Sequence, residues 1–597
     1  MNKVKLSDYV AKYLLDNDLK IIYSVTGAGS MHFNDSIGNK KELTVIYTHH
    51  EQAASMAAEG TARITGRPGV VNVSTGPGGT NALTGVAGAW VDSIPMLVLS
   101  GQIMRKDRGP KHRLRQMGVQ EIDTVNVAKN LAKYTVTIED PNTIKYHLDK
   151  AVYLSMSGKP GPVWIELPLD VQSSFVNPKK LKGFKPKKRK RKISNSLLLR
   201  SIKLINGAKK PLIIGGYGIR NANAVNELTK LIKKTQIPFS PSWNAIDVIN
   251  SKSDFVVGRA GVFGDRASNY AVQKCDLLIV LGSRLSTMQI GYMDDLYAKK
   301  AKKIYVEIDK HELKKPTIKS DASINCNVKD YINYLLKSKK LSTNKFSILR
   351  WRKKLIHLKN KYPVSKENVK KNKNNVNSFK FINELSNYLK DDDDVVVTDM
   401  GTSFTCAMQA FQAKNNQRLW TSSGLASMGY GLPAAIGACV ARKNKKRTIC
   451  ITGDGGLLFN IQELQTVMHY KLNLKIFLLD NDGYLTQKLM MKKNFKRYAG
   501  AHPPSGVSCP DFSKVAKSFG FNCDTINNEA SMPKKLKKIL SNNKVHFCVI
   551  KMHPMQPLTP RVLMRMRKDG SFERTGIESV SPFLNENEHR TNLQYLD

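Results

Sequence analysis

Short apolar runs alternate with longer amphipathic stretches along most of the chain. In the first third, Ile21–Val25, Thr44–Tyr47, Val70–Val73, Met96–Leu99 and Val163–Glu166 are short, apolar runs that read as strands. Between them, Glu51–Thr65 and Thr143–Met156 carry helical periodicity. Strands separated by helices predict a parallel sheet covered on both faces. The pattern ends near Pro168 and restarts after Ser194. There Pro211–Gly218, Asp276–Ser283 and Ile304–Ile308 are strand-like, two of them running into glycine turns. A polar, Lys-rich connection from about Lys337 to Asn377 precedes a third segment. That segment contains a helix near Phe379–Leu389, strands at Asp394–Thr398, Thr448–Thr452 and Leu474–Leu479, and a helix at Ile461–Tyr470. The predicted architecture is α/β, with three doubly wound parallel-sheet domains at 1–180, 194–340 and 376–553. A tail of little periodicity follows at 554–597.

The length of 597 residues agrees with this division, being too long for one core. No apolar run approaches the ~20 residues a bilayer needs; Ile94–Leu99 is typical. The N-terminus does not read as a secretory signal. The formal charge of +47 is the abnormal property. Its Lys and Arg residues are dispersed and accompanied by Asn-rich stretches such as Lys370–Asn377, and no nucleic-acid reader motif goes with them. A compositional origin is therefore expected, with no specific nucleic-acid partner and no membrane partner. The run Lys187–Lys192 reads as a solvated linker, with a localisation signal or polyanion patch as the alternative. Eight cysteines occur, none in a CxxC pair and none before Cys275, so a reducing cytoplasm is the expected setting.

Candidate chemistry concentrates at strand ends. Gly453-Asp454-Gly455-Gly456 follows one strand, and Asn481 with Gly483-Tyr484 follows the next. The glycines let backbone approach an anion, and a helix start after them offers free N–H groups. Asp454 and Asn481 are hard oxygen ligands; with a backbone carbonyl and phosphate oxygens they suit Mg2+. Glu51 opens a helix after Thr44–Tyr47, where a carboxylate can simply favour the helix dipole. Gly215–Gly218 could cradle a dinucleotide or be an ordinary turn.

The two strand-end motifs together resemble the signature of thiamine-diphosphate (ThDP) enzymes, with Asp480 in place of the usual first Asn. Further stretches fall in the family's order: Thr75–Asn81, Ile94–Met96, Ser100–Gln102, Val119–Glu121, Gly158–Pro168, Asp399–Ser403 and Ser423–Ala435. The chain is thus similar to acetolactate synthase catalytic subunits over about residues 1–555. This resemblance implies pyrimidine-binding, central and diphosphate-binding domains. It also implies ThDP and Mg2+ as cofactors, with Asp454, Asn481 and the carbonyl of Gly483 as metal ligands. Gly27, Gly76, Pro77, Asn81, Gly401, Thr402, Ser403, Ser427, Met428, Gly453, Gly455, Gly456 and Tyr484 would line the cofactor. Glu51 and Gln120 would be catalytic, Glu51 by sharing a proton with N1′ of the aminopyrimidine. The implied assembly is a homodimer or tetramer with sites at the subunit interface. The implied reaction is decarboxylation of a 2-oxo acid, with pyruvate as the expected donor, and carboligation of the type that opens branched-chain amino-acid synthesis.

Several positions depart from that pattern. Met288 stands where the family places an acceptor-gripping Arg, and Leu169 where it has a channel Lys. Val119 replaces a Phe, Thr402-Ser403 replace a Gln-His pair, and no channel Trp is evident in Leu485–Asn494. Fewer cations disfavour an anionic acceptor. The set of departures as a whole resembles the synthase-like paralogues associated with sugar and polysaccharide biosynthesis. FAD, which many true synthases bind in the central domain, is expected to be weak or absent. The enzyme alternatives are a simple 2-oxo-acid decarboxylase or a sugar-directed ThDP lyase. The non-enzyme alternative is an inactive scaffold with a basic binding role, against which intact Glu51, Asp454 and Asn481 argue.

Overall fold

The computed structural model describes residues 3–186, 193–367, 374–389, 395–564, 569–571 and 573–597. The basic run at 187–192 lies outside the described residues. Three parallel sheets are present. The first contains β1 (Ile21–Ser24), β2 (Thr44–Tyr47), β3 (Gly69–Val73), β4 (Met96–Gln102), β5 (Thr135–Thr137) and β6 (Pro162–Pro168), in the order β2-β1-β3-β4-β6-β5. The central sheet contains β7 (Pro211–Gly215), β8 (Phe239–Pro241), β9 (Leu277–Leu281), β10 (Lys302–Glu307) and β11 (Ala322–Asn325), in the order β8-β7-β9-β10-β11. The last contains β12 (Val395–Thr398), β13 (Arg418–Trp420), β14 (Thr448–Gly453), β15 (Leu474–Asp480), β16 (Cys523–Ile526) and β17 (His546–Lys551). Its order is β13-β12-β14-β15-β17-β16. The two outer sheets therefore share one topology, strand for strand.

Central strands such as β9 are apolar and buried throughout, as expected where helices cover both sheet faces. Helix α1 (Glu51–Thr65) follows β2, and α2 (Pro77–Asp92) follows β3. In the last sheet, α3 (Thr402–Ala410) follows β12 and α4 (Gly431–Ala441) follows the β13 loop. Helices α1 and α4 occupy equivalent places in the two outer sheets and cross at backbone contact. A Cβ on Gly60 would lie 2.2 Å from the Ala434 carbonyl oxygen, and one on Gly437 1.9 Å from that of Ala57. One apolar cluster runs through this crossing, joining Met56, Val71 and Trp164 to Trp420, Leu432 and Leu478.

The tail is more ordered than its weak periodicity predicts. A short hairpin pairs Arg561–Val562 with Val580–Ser581, and a helix spans Glu586–Tyr595 with Asn585 as its N-cap. The helix docks on the central domain, where the Tyr270 hydroxyl lies 2.8 Å from Nδ1 of His589 and Lys274 pairs with Asp597 at 2.6 Å. Polar anchoring of this kind leaves little hydrophobic period to detect. Among the described residues no helix is long and apolar enough to cross a membrane.

Candidate active site

Every candidate cofactor residue lies at the C-terminal end of one of eight strands, β1–β4 or their counterparts β12–β15, or in the loop or first helical turns that follow it. In open parallel sheets this is the end where ligands bind, because helix N-termini and irregular loops collect there. Identical topology gives two matched half-sites, one from each outer domain.

In the C-terminal half, β14 and β15 are adjacent parallel strands, with Gly453 paired to Leu479. Asp454 therefore leaves one strand directly beside Asn481 leaving the other. The Asp454 carboxylate is buried. Oδ1 accepts from the Gly455 N–H at 2.8 Å, and Oδ2 accepts from the N–H groups of Asn481 at 3.0 Å and Gly483 at 2.9 Å. Burial pushes its pKa up to about 6, against the lowering effect of those three N–H groups. The Oδ1 of Asn481 is buried and has no hydrogen-bond partner. A buried, unpaired acceptor beside a carboxylate is what a hard cation would satisfy. Gly483 has φ +106° and sits against Ala501, where a Cβ would come within 2.4 Å of a carbonyl oxygen. The Tyr484 ring covers Gly455, leaving 2.2 Å for any Cβ there.

Asp399 braces the same half from behind. Its Oδ1 accepts from the Met400 N–H at 2.8 Å and its Oδ2 from the Thr452 hydroxyl at 3.1 Å, while burial raises its pKa to about 6. A Cβ on Gly456 would meet its Oδ2 at 2.8 Å. Gly401, at φ +89°, turns the chain into α3, so that Thr402 and Ser403 open that helix. The Ser403 hydroxyl donates to the Asp399 carbonyl at 2.9 Å, which leaves its backbone N–H as its offer to an anion. Ser427 and Met428 are half-buried in the loop between β13 and α4. That loop is pinned through Gly429, whose carbonyl accepts from Asn460 at 2.8 Å. Met428 is thus a loop residue rather than part of an apolar helix face.

The N-terminal half is equally local. Glu51 is the first residue of α1, whose N-cap His50 accepts the Gln52 N–H at 3.1 Å. Oε2 of Glu51 accepts from Nδ2 of Asn81 at 3.0 Å. Asn81 lies in the first turns of α2, which begins with Pro77 after Gly76 at φ +59°. A Cβ on Gly76 would lie 2.0 Å from the Gln120 carbonyl, and one on Gly27 2.4 Å from the Ser74 hydroxyl. Gln120 is held at φ +63°, a strained setting for a non-glycine residue and one that clusters at functional sites. Its loop winds around the buried Glu121 carboxylate, which accepts the N–H groups of Gly109 at 2.7 Å, Met117 at 2.8 Å and Gly118 at 3.3 Å. Val119 beside it is 86% exposed.

Two residues of the recognised stretches, Gln102 and Glu166, take on supporting roles that the motifs did not show. Gln102 joins the Thr75 hydroxyl at 2.8 Å, the Ile122 carbonyl at 3.0 Å and the Glu166 carboxylate at 3.2 Å. It thereby ties the Gly76 turn to the Gln120 loop. Burial raises Glu166 to about 7. The central sheet carries a cavity of about 430 Å3 at its own strand ends, bounded by Gly216, Gly218, Arg284 and Glu307 and completed by Asp92 and Ser423 of the outer domains. Gly216 and Gly218 of the predicted glycine turn are therefore on a cavity wall, and so is Met288. Leu169 begins the short helix directly after β6.

Three family models match the chain. They are the thiamine pyrophosphate enzyme N-terminal TPP binding domain over residues 4–127, its central domain over 198–335, and its C-terminal TPP binding domain over 399–552. The chain is 31% identical over 571 residues to a probable acetolactate synthase large subunit of Methanocaldococcus jannaschii, covering 93% of each protein. It is 30% identical over 571 residues to the acetolactate synthase large subunit of Lactococcus lactis, covering 94% of this chain and 96% of that one. With the isozyme 1 large subunit of Escherichia coli it shares 29% identity over 540 residues, 90% of this chain and 92% of the relative. Two matched half-sites, three family domains in order and end-to-end similarity lead to one conclusion: the chain belongs to the thiamine pyrophosphate enzymes, and among them to those of the acetolactate synthase type.

Proposed function

We propose that the chain is a ThDP- and Mg2+-dependent catalytic subunit that decarboxylates a small 2-oxo acid, pyruvate first, and joins the fragment to a carbonyl acceptor. The observation that carries this reading is the unpaired, buried Oδ1 of Asn481 beside the buried carboxylate of Asp454. Relatives named as acetolactate synthase large subunits support the activity. Asp454, Asn481 and the Gly483 carbonyl would hold Mg2+, with phosphate oxygens completing the shell. Gly453, Gly455, Gly456 and Tyr484 would frame the diphosphate together with the Gly401–Ser403 helix start. Ser427 and Met428 would flank the rings, and Gly27, Gly76, Pro77 and Asn81 would line the pyrimidine. When bound, the cofactor supplies an electron sink for the decarboxylated fragment. Glu51 would hold and return a proton at N1′, its carboxylate oriented by Asn81. Gln120 would face the reacting carbonyl.

A homodimer or tetramer would bring the Glu51 half-site of one subunit to the Asp454 half-site of its partner. Exposed Leu114, Met117, Val119 and Phe459 around these loops support such an interface. The division at 1–180, 194–340, 376–553 and 554–597 is kept as the domain scheme. Free cysteines, six of the eight buried, support a cytoplasmic setting. Met288 and Leu169 in place of cations favour a neutral aldehyde or ketone acceptor over 2-oxobutyrate, and weak or absent FAD. The test incubates the purified protein with ThDP, Mg2+ and pyruvate, with and without neutral carbonyl acceptors. ThDP-dependent CO2 release with a 2-hydroxy ketone product is expected. Acetaldehyde as the sole product would make it a simple decarboxylase, and strong preference for 2-oxobutyrate or a stoichiometric yellow flavin would make it an ordinary synthase.

A further inference from the structure

Lys488 lies near the start of α5 (Leu485–Asn494), the helix that follows the Asn481–Tyr484 loop. It is only 1% exposed, which is rare for an ammonium group and costly unless its N–H donors are used. Nζ donates to the carbonyl of Asn481 at 2.8 Å and to that of Asp482 at 3.0 Å. The opposite polarity of the same loop is tied to Asp454, which takes the N–H groups of Asn481 and Gly483. The loop is thus held from two sides, its N–H groups by a buried carboxylate and its carbonyls by a buried ammonium. The Asn481 Oδ1 is left as the unpaired oxygen.

We infer that Lys488 is a positioning residue that forms the metal loop in advance, orienting Asn481 and the Gly483 turn before cation and diphosphate bind. The inference rests on the reading of Asp454 and Asn481 as the metal site. Two charge-assisted bonds to neighbouring carbonyls fix the peptide planes on either side of Asp482, and through them the direction of the Asn481 side chain. A lysine suits this task, since its compact ammonium can bond two adjacent carbonyls that a planar guanidinium would overreach. Groups that orient metal ligands from behind commonly influence affinity by about 10–100-fold.

Lys488→Met keeps the apolar stem and removes both bonds. In calorimetric titrations of ThDP into full-length protein at graded Mg2+, this variant should need about 10–100-fold more Mg2+ for half-maximal binding. Excess Mg2+ should restore occupancy. Hydrogen exchange of the 480–485 amides in metal-free protein should rise, with the rest of the C-terminal domain unchanged. Lys488→Arg, which keeps the charge but not the geometry, should fall between wild type and Met, and it serves as the test if the Met variant fails to fold. Unchanged Mg2+ dependence and unchanged loop exchange in either folded variant would overturn the role of Lys488. If wild type itself bound ThDP independently of Mg2+, the metal reading would fall instead, and the two failures are distinguishable.

Discussion

Asp454 and Glu51 do different work and should fail in different ways. Asp454 accepts three backbone N–H groups and would supply the one carboxylate of the proposed metal set. Asp454→Ala should lose ThDP on gel filtration in Mg2+ buffer while its thermal unfolding stays cooperative; a variant that retained the cofactor would remove Asp454 from the metal assignment. Glu51 touches the site at one atom pair, Oε2 with Asn81. Glu51→Gln can still accept that bond but cannot share a proton, so turnover should fall by about 10²–10⁴-fold with ThDP affinity little changed. Wild-type turnover would reduce Glu51 to a helix-start residue. Both were legible in the sequence because each stands in a short motif at a strand end. Gln102 and Glu166 also stood in recognised stretches, but their pairing and the role of Lys488 were not legible. Gln102 meets Glu166 only through strand pairing of β4 with β6, and a buried lysine looks like any other in a chain so rich in them.

At the level of elements, legibility followed burial. Strands covered on both faces, such as β4, β9 and β15, announce themselves through apolar runs, Met96–Leu99, Leu277–Leu281 and Ile476–Leu479. The three-residue strands β5, β8 and β13 sit at sheet edges and are too short to carry a period. The helix Glu51–Thr65 was readable to the residue, whereas its partner α4 is apolar on every side and has no amphipathic signature. The crossing of these helices depends on small residues. Gly437→Ala would drive a Cβ to 1.9 Å from the Ala57 carbonyl oxygen, a backbone atom that cannot step aside. Overpacking of this kind should destabilise the protein by about 1–3 kcal/mol, read as a lower urea midpoint at unchanged slope. An unaltered midpoint would show that the helices can separate without cost.

At the scale of the whole molecule, the two outer sheets share one strand order although no short internal repeat is visible in the sequence. Topology survives when side chains do not, because it is fixed by where strands fall and how they cross over rather than by residue identity. The net charge of +47 belongs to the same scale. Exposed lysines lie on unrelated elements, including Lys345, Lys492, Lys493, Lys534 and Lys537, instead of forming one stripe beside a reader helix. Dispersed charge attracts any polyanion through counterion release and distinguishes none. Binding to duplex DNA should therefore be weak at physiological salt, with Kd of about 10⁻⁴–10⁻⁶ M, and alike for unrelated sequences. Raising salt from roughly 50 to 200 mM should abolish most of it, by about 10³–10⁵-fold if some 6–10 phosphates are contacted. Fluorescence anisotropy with two unrelated duplexes across that range measures both properties at once. Nanomolar, sequence-selective binding that persisted at the higher salt would mean that the basic surface is a built recognition site, and that carboligation is not the only work of this chain.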